Sequence, residues 1–149
     1  MLFKSFDNPE DDDFAPISWG ERLSQVVAAQ PDNVYTGVFT NDDDWYVITK
    51  NGRKFDHEPS LKIRNHSPTG FAWGYGGSGP AQLALGLLLE ETKDAKLAEH
   101  FYMDYKWDVV AGLPKAEGQT WQLTTTDILT WLRRKVDVAQ ESSSAINTQ

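Results

Sequence analysis

A glycine-rich stretch holds the residues best suited to bind a ligand. Six glycines fall between positions 70 and 86, around the start of an apolar segment that predicts a helix over 81–92. Glycine lets backbone N–H groups approach a ligand closely, and the first N–H groups of a helix lack partners and attract anions. Polar and aromatic side chains surround the stretch, as they do in ligand pockets. We expect ligand contacts from Arg64, Asn65, His66, Trp73, Tyr75, Gly76, Gly77, Ser78, Gly79 and Gln82.

Two phosphate-binding patterns fit this stretch incompletely. Gly74, Gly76 and Gly79 have the spacing G-x-G-x-x-G. The dinucleotide fold also needs a preceding strand and an acidic residue on a following strand, where this sequence predicts a second helix. Pro80 and Ala81 stand where the phosphate loop of an NTPase needs Lys and Ser or Thr. Neither pattern therefore predicts a nucleotide-hydrolysing or dinucleotide-dependent enzyme.

A catalytic serine is a minor alternative. Ser78 lies in a Gly-Ser-Gly run that resembles a serine-hydrolase turn, but Pro80 replaces the last glycine of that pattern. The base would have to be His57, His66 or His100. We assign no catalytic residue and expect a protein that is not an enzyme.

The same glycines also have a purely structural interpretation. Ser78 or Gly79 can cap the helix, and Pro80 suits its first turn. The glycines would then allow close packing against Trp73 and Tyr75. The sequence alone leaves both interpretations open.

Metal and redox chemistry find little support in the sequence. It contains no cysteine, which excludes disulfides, thiolate catalysis and cysteine-ligated metal. The three histidines lack zinc-site spacing, and the aspartate runs at 11–13 and 42–44 lack the pattern of a calcium loop. Glu90 and Glu91 end a predicted helix, where we expect them at the surface. We expect no metal and no cofactor.

The charge of the chain is concentrated at its start. The net charge is −8, and residues 1–32 contribute seven acidic and two basic residues to it. This balance argues against direct binding to nucleic acid or to an anionic membrane. No export segment is visible, and the apolar run 81–89 is shorter than the ~20 residues of a membrane span. We therefore expect a cytoplasmic protein.

Hydrophobic periodicity predicts an α+β fold. A capping-box spacing at Ser18 and Glu21 predicts a short N-terminal helix, with an apolar pattern that ends before Pro31. Alternation of period two predicts strands over 34–40 and 45–50, a hairpin at Asn51-Gly52 leading to a third strand near Lys54, and a further strand over 60–64.

The second half of the chain predicts helices. The first covers 81–92, the second is capped by Asp94 and ends near 112–114, and the third begins at Thr124 or Thr125 and ends near 138. We expect a small antiparallel sheet over about 34–64 packed on about three helices over 80–138. The domain is predicted over 33–138, after an acidic extension (1–32) and before a disordered tail (139–149).

The tryptophans divide into two predicted groups. Trp45, Trp121 and Trp131 lie on amphipathic patterns, which favours the core. Trp73, beside the glycines, and Trp107, off the apolar stripe of its helix, are candidate contacts.

The sequence also resembles a family of small uncharacterised proteins from bacteria, plasmids and phages. The resemblance covers about residues 34–135, and its most specific part is RNHSPTGFAWGYGGSGPAQLAL at 64–85. Further matching runs are FYMDYK at 101–106, VVAGLP at 109–114 and WQLT at 121–124, followed by Asp127, Ile128, Trp131 and Leu132. The family carries no activity to transfer. The resemblance implies a setting of conflict between phage or plasmid and host.

Two functional hypotheses follow from these observations. The first is a binding protein that holds a small anionic molecule, such as a nucleotide or a phosphorylated compound, at the glycine-rich loop and the helix start. The second is an acidic module that docks on, and inhibits, a basic partner that binds nucleic acid. The sequence does not predict an oligomeric state.

Overall fold

A computed structural model of the protein describes residues 17–40 and 45–147, with side chains up to Glu141. In chain order its elements are α1 (Trp19–Ser24), β1 (Val34–Thr40), β2 (Trp45–Lys50), β3 (Arg53–Lys54), α2 (Glu58–Leu61), α3 (Ser78–Thr92), α4 (Ala95–Asp108), a 3-10 helix (Val110–Gly112), β4 (Thr120–Thr124) and α5 (Thr125–Asn147). The fold is α+β, which confirms the prediction. The acidic cluster at 7–13 and the predicted turn at 41–44 lie outside the described residues.

The four strands form one antiparallel sheet in the order β3-β2-β1-β4. Asn51 and Gly52 both have positive φ, as the predicted hairpin turn requires. Gly37 lies opposite Trp121 on β4, and the indole ring occupies the space where a Cβ of Gly37 would stand, 2.2 Å from its nearest atom. The glycine therefore allows the tryptophan to lie across the centre of the sheet.

One face of the sheet packs on the helices. Tyr35, Phe39 and Ile48 alternate with more exposed residues, and they share one core with the leucines of α3. The first ten residues of α3 that follow Ser78 are all buried, so this helix lies at the centre of the molecule, as its apolar sequence predicts.

Side chains cap the helices where the sequence indicates. Ser18 and Glu21 form both hydrogen bonds of a capping box at α1. Asp94 accepts a hydrogen bond from the N–H of Leu97 at the start of α4. Thr124 and Asp127 exchange the same reciprocal pair of hydrogen bonds at the start of α5.

The predicted strand over 60–64 is wrong. The chain forms the short helix α2 there, because Pro59 suits a first helical turn and the Ser60 hydroxyl donates to the carbonyl of His57. The sheet instead gains β4, where the sequence predicts no strand. Trp121 and Leu123 alternate with Gln122 and Thr124, a signal of period two that is only five residues long.

Helix ends also differ from the predictions. α1 ends at Ser24, and Val27 is exposed. α3 begins earlier than predicted, at Ser78, with Gly77 rather than Ser78 or Gly79 as its N-cap. α5 continues to Asn147, where a disordered tail was predicted from 139. The Gln140 side chain accepts a hydrogen bond from the N–H of Gly20, so this part of α5 has a partner in α1.

The assignments of the tryptophans are partly reversed. Trp121 and Trp131 are buried and Trp107 is exposed, as predicted. Trp45, predicted in the core, is 61% exposed, because odd-numbered residues of β2 lie on the sheet face away from the helices. Trp73, predicted as a contact, is fully buried. None of the helices in the described ranges is long and apolar enough to cross a membrane.

Candidate functional site

A groove runs between β2 and the segment that leads into α3. Its cavity has a volume of about 750 Å³, within the usual range for small-molecule sites. All five residues from Trp45 to Thr49 border it, so it lies along the edge of the strand rather than over one face. The remaining lining residues are Lys54, Phe55, His57, Ser67, Thr69, Gly70, Phe71, Ala72, Tyr75 and Gly79.

The groove differs in charge from the rest of the molecule. Lys54 and His57 line it, and its described lining residues include no Asp or Glu. The whole chain has a net charge of −8. A lysine in the lining favours an anionic ligand over a cationic one.

Gln82 explains why the segment before the glycines has a fixed path. Its Oε1 accepts hydrogen bonds from the N–H groups of His66 (2.8 Å) and Ser67 (3.0 Å). Its Nε2 donates to the hydroxyl of Ser60 (2.8 Å) and to the carbonyl of Arg64 (3.0 Å). The amide is fully buried and makes four hydrogen bonds. Gln82 therefore positions the loop and has no capacity left for a ligand.

Arg64 and His66 face α4 and do not line the groove. The Arg64 guanidinium pairs with Glu99 at 2.6 Å, and its side chain is 61% exposed. The His66 Nε2 lies 2.7 Å from the Tyr102 hydroxyl. Asn65 is exposed beside them. These three predicted ligand residues are therefore separated from the cavity that Tyr75 and Gly79 border.

The glycines of the predicted loop lie at positions where any larger residue would collide with a neighbouring side chain. A Cβ on Gly76 would lie 2.3 Å from the Trp107 ring, and one on Gly77 would lie 2.4 Å from the Tyr75 ring. A Cβ on Gly79 would meet that of Ala72 at 2.5 Å, and the N–H of Ala72 donates to the Gly79 carbonyl. Close packing thus accounts for these glycines without a ligand.

Tyr75 and Tyr46 are held by Lys115. The ammonium group lies 4.8 Å from the centre of the Tyr75 ring and 3.3 Å from the Tyr46 hydroxyl. The Tyr46 ring also packs edge-on against Trp73, whose Nε1 donates to the carbonyl of Pro114. One end of the groove therefore rests on a fixed aromatic cluster, with Trp73 supporting it from the core.

The serine-hydrolase alternative gains no support from the described hydrogen bonds. Ser78 is exposed at the first position of α3. The Nε2 of His57 lies 3.0 Å from the carbonyl of Pro68, His66 contacts Tyr102, and His100 stacks on Trp19. Within the described ranges, no three His, Cys, Asp or Glu side chains come together as a possible metal site.

A second polar cluster is buried between β1 and α3. Glu91, expected at the surface, is buried and accepts hydrogen bonds from Tyr35 (2.5 Å) and Asn33 (2.8 Å). Burial and the bond to Glu91 raise the pKa of the Tyr35 hydroxyl above its ordinary value of 10. Neither side chain borders the groove, so this cluster links the sheet to the central helix.

Trp45, Lys54 and His57 border the groove but were not among the predicted ligand residues. Their positions depend on which face of β2 packs on the helices and on which edge of β2 borders the groove. The alternation of apolar and polar residues in the sequence does not determine either. The edge position of β3 and the short connection 55–57 to α2 bring Lys54 and His57 to the same cavity.

Comparison with protein families gives one match. The model described as "Family of unknown function (DUF6166)" matches residues 35–134, which include all four strands except Val34, and α2 to α4. No curated protein and no solved structure matches the chain.

Proposed function

The chain belongs to the DUF6166 family, and we propose that it is a non-enzymatic binding protein whose groove holds a small anionic molecule. The ligand class is a nucleotide or another phosphorylated compound. The observation that carries this proposal is the position of Lys54 in the lining of a 750 Å³ cavity whose described lining residues include no carboxylate.

Two further features support an anionic ligand with an apolar or aromatic part. Trp45, Phe71 and Tyr75 provide ring surfaces along the groove. Gly79, in the first turn of α3, borders the same cavity, so the positive end of the helix dipole adds to the field of Lys54. The binding site is therefore the groove, beside the glycine-rich turn rather than within it.

Ligand-induced stabilisation tests this function. Unfolding midpoints of the full chain would be measured with nucleoside mono-, di- and triphosphates, cyclic nucleotides and sugar phosphates. A ligand at 100 times its Kd stabilises the native state by about 2.7 kcal/mol. The absence of a shift with every compound, together with no co-purifying ligand in native mass spectrometry, contradicts the proposal.

A pair of neighbouring variants locates the binding. Lys54 borders the cavity, whereas Arg53, the other residue of β3, is exposed and does not. Lys54→Gln should weaken binding at least about tenfold, since a hydrogen bond to a charged group contributes about 1.5–3 kcal/mol. Arg53→Gln, which removes the same charge one residue away, should change the affinity little.

The acidic start of the chain favours a second candidate function. Five of the eight excess negative charges fall in residues 1–32, which suits docking on a basic, nucleic-acid-binding protein. Such a role would fit the conflict between phage or plasmid and host that the resemblance of the glycine-rich run implies. Deleting residues 1–15 should then weaken capture of that partner and reduce its salt dependence. Unchanged capture would contradict this candidate, and the groove proposal predicts unchanged ligand binding.

A further inference from the structure

In the described part of the chain, the edge of β2 beside the groove has backbone groups without a strand partner. The N–H of Asn51 donates to the carbonyl of Val34 on β1, so odd-numbered residues from 45 to 51 turn their backbone groups toward β1. Even-numbered residues turn theirs to the opposite side. In the described part of the chain, β3 covers only a short part of this side, because its two residues lie opposite Thr49 and Lys50.

Three backbone groups therefore face the groove. The carbonyl of Ile48 accepts from the N–H of Phe55. Toward Trp45, no further described backbone hydrogen bond joins this edge of β2 to the chain that follows β3. The N–H and carbonyl of Tyr46 and the N–H of Ile48 point the same way, and no described backbone group pairs with them. Tyr46 thus presents a donor and an acceptor side by side, held in place by the contacts of its ring with Trp73 and Lys115.

Side chains enclose this edge above and below the plane of the sheet. Trp45 and Val47 project from the outer face and border the cavity. Phe55 pairs with Ile48 on the inner face and stacks on Phe71 at 5.1 Å between ring centres. A flat ring that hydrogen bonds to Tyr46 in the plane of the sheet would lie between these two apolar layers.

We propose that the ligand is a nucleotide whose base hydrogen bonds to the backbone of Tyr46 at the free edge of β2. The inference rests on the proposed function and adds how the ligand is recognised. The base donates to the Tyr46 carbonyl and accepts from the Tyr46 N–H. An adenine edge, with its amino group next to a ring nitrogen, has this pattern.

The phosphate end of such a ligand points toward Lys54. Thr49 lies opposite Lys54 and three residues beyond Tyr46, a distance of about 10 Å along a strand. This span separates a base from a phosphate when a ribose lies between them. His57 borders the same cavity, but its Nε2 donates to the carbonyl of Pro68, so Lys54 is the donor that faces the phosphate.

An extended peptide would use the same edge differently. Strand addition draws its affinity from a row of main-chain hydrogen bonds, and β2 offers three free groups before Phe55 occupies the edge. A compact planar ligand satisfies these groups, whereas a peptide strand gains few bonds from them.

Amide hydrogen exchange of the full chain, followed by NMR, tests the inference directly. The probes are adenosine 5′-monophosphate, ribose 5-phosphate, N6,N6-dimethyladenosine 5′-monophosphate and a short acidic peptide. With adenosine 5′-monophosphate the amide of Tyr46 should exchange at least about tenfold more slowly, as expected for a hydrogen-bonded amide. The Thr49 amide, already paired with β1, should change little.

The other probes separate the inference from the proposed function. Ribose 5-phosphate and the dimethylated nucleotide, which lacks the amino donor, should bind at least about tenfold more weakly than adenosine 5′-monophosphate. If sugar phosphates bind equally well and leave the Tyr46 amide unprotected, the inference fails while the anion-binding function stands. Protection of the Tyr46 amide by the peptide alone would overturn the inference in favour of strand addition. Failure of every phosphorylated probe to bind would overturn both.

Discussion

At the scale of single residues, Gln82 positions a loop and Gly37 allows close packing in the sheet. Gln82 makes four hydrogen bonds to the segment before the groove, and Gly37 leaves room for Trp121 at the centre of the sheet. Both residues act on structure, and each supports a prediction about stability.

Gln82→Leu should lower the free energy of unfolding by about 3 kcal/mol. The substitution leaves the N–H groups of His66 and Ser67 without their buried acceptor, and each unsatisfied group costs about 1–3 kcal/mol. Urea unfolding measures the loss. Gln122→Leu, at an exposed position of β4, is the control and should change stability little. Equal stability of the two variants would contradict the role of Gln82.

Gly37→Ala should destabilise the protein by about 1–3 kcal/mol, because the added Cβ overpacks the core against the Trp121 ring. The matched control is Gly112→Ala, where no atom lies within 4 Å of the added Cβ. Denaturant unfolding compares the two. If the Gly37 variant is as stable as the Gly112 variant, the indole does not occupy the position described.

The candidate site shows what residue patterns can predict. Tyr75 and Gly79 were predicted and do border the groove, because both belong to the segment that enters α3. Arg64 and Gln82 were predicted from their polar character, but their hydrogen bonds go to Glu99 and to the loop backbone. Such partners lie 15 to 35 residues away, and spacing along the chain does not reveal them.

At the scale of elements, a charged pair links β2 to α3. Lys50 contacts the carboxylate of Glu90, which also accepts from Lys93 at 3.2 Å. Burial alone would raise the pKa of Glu90, but the hydrogen bonds from the two lysines outweigh it and lower the pKa below 4.5. A carboxyl group with a lowered native pKa stabilises the fold above its unfolded pKa.

Lys50→Met should therefore reduce stability at neutral pH and have less effect in acid. The difference from the wild type is fully present above about pH 5 and shrinks as the pH falls through the native pKa of Glu90. Partial exposure limits it to about 1 kcal/mol or less. Unfolding free energies from pH 3 to 7 give the profile. A difference that is constant over this range would contradict the linkage.

Elements were predictable where local signals agree. The hairpin of β1 and β2 and the caps of α1, α4 and α5 follow from alternation and from side chains a few residues apart. α2 and β4 were missed because each is five residues or shorter and carries few local signals. β4 depends on pairing with β1, about 85 residues earlier, so its place is set by tertiary contacts.

At the scale of the whole molecule, charge and cavity are distributed unevenly. The net charge of −8 resides largely in residues 1–32 and in the helical half, whereas the groove beside β2 holds basic and aromatic groups. An acidic protein can bind an anion under these conditions. Salt largely screens charges that are more than about 10 Å apart, so a nearby basic group acts on the ligand more strongly than distant carboxylates do.

The indole signals of two tryptophans provide the most direct test of the central claim. Trp45 borders the groove, whereas Trp107 packs on Gly76 of the glycine-rich turn, and the two are 61% and 60% exposed. In 1H–15N spectra, titration with a nucleoside monophosphate should shift the Trp45 indole N–H and leave that of Trp107 in place. A shift of Trp107 alone, or of neither, would contradict a ligand site in the groove.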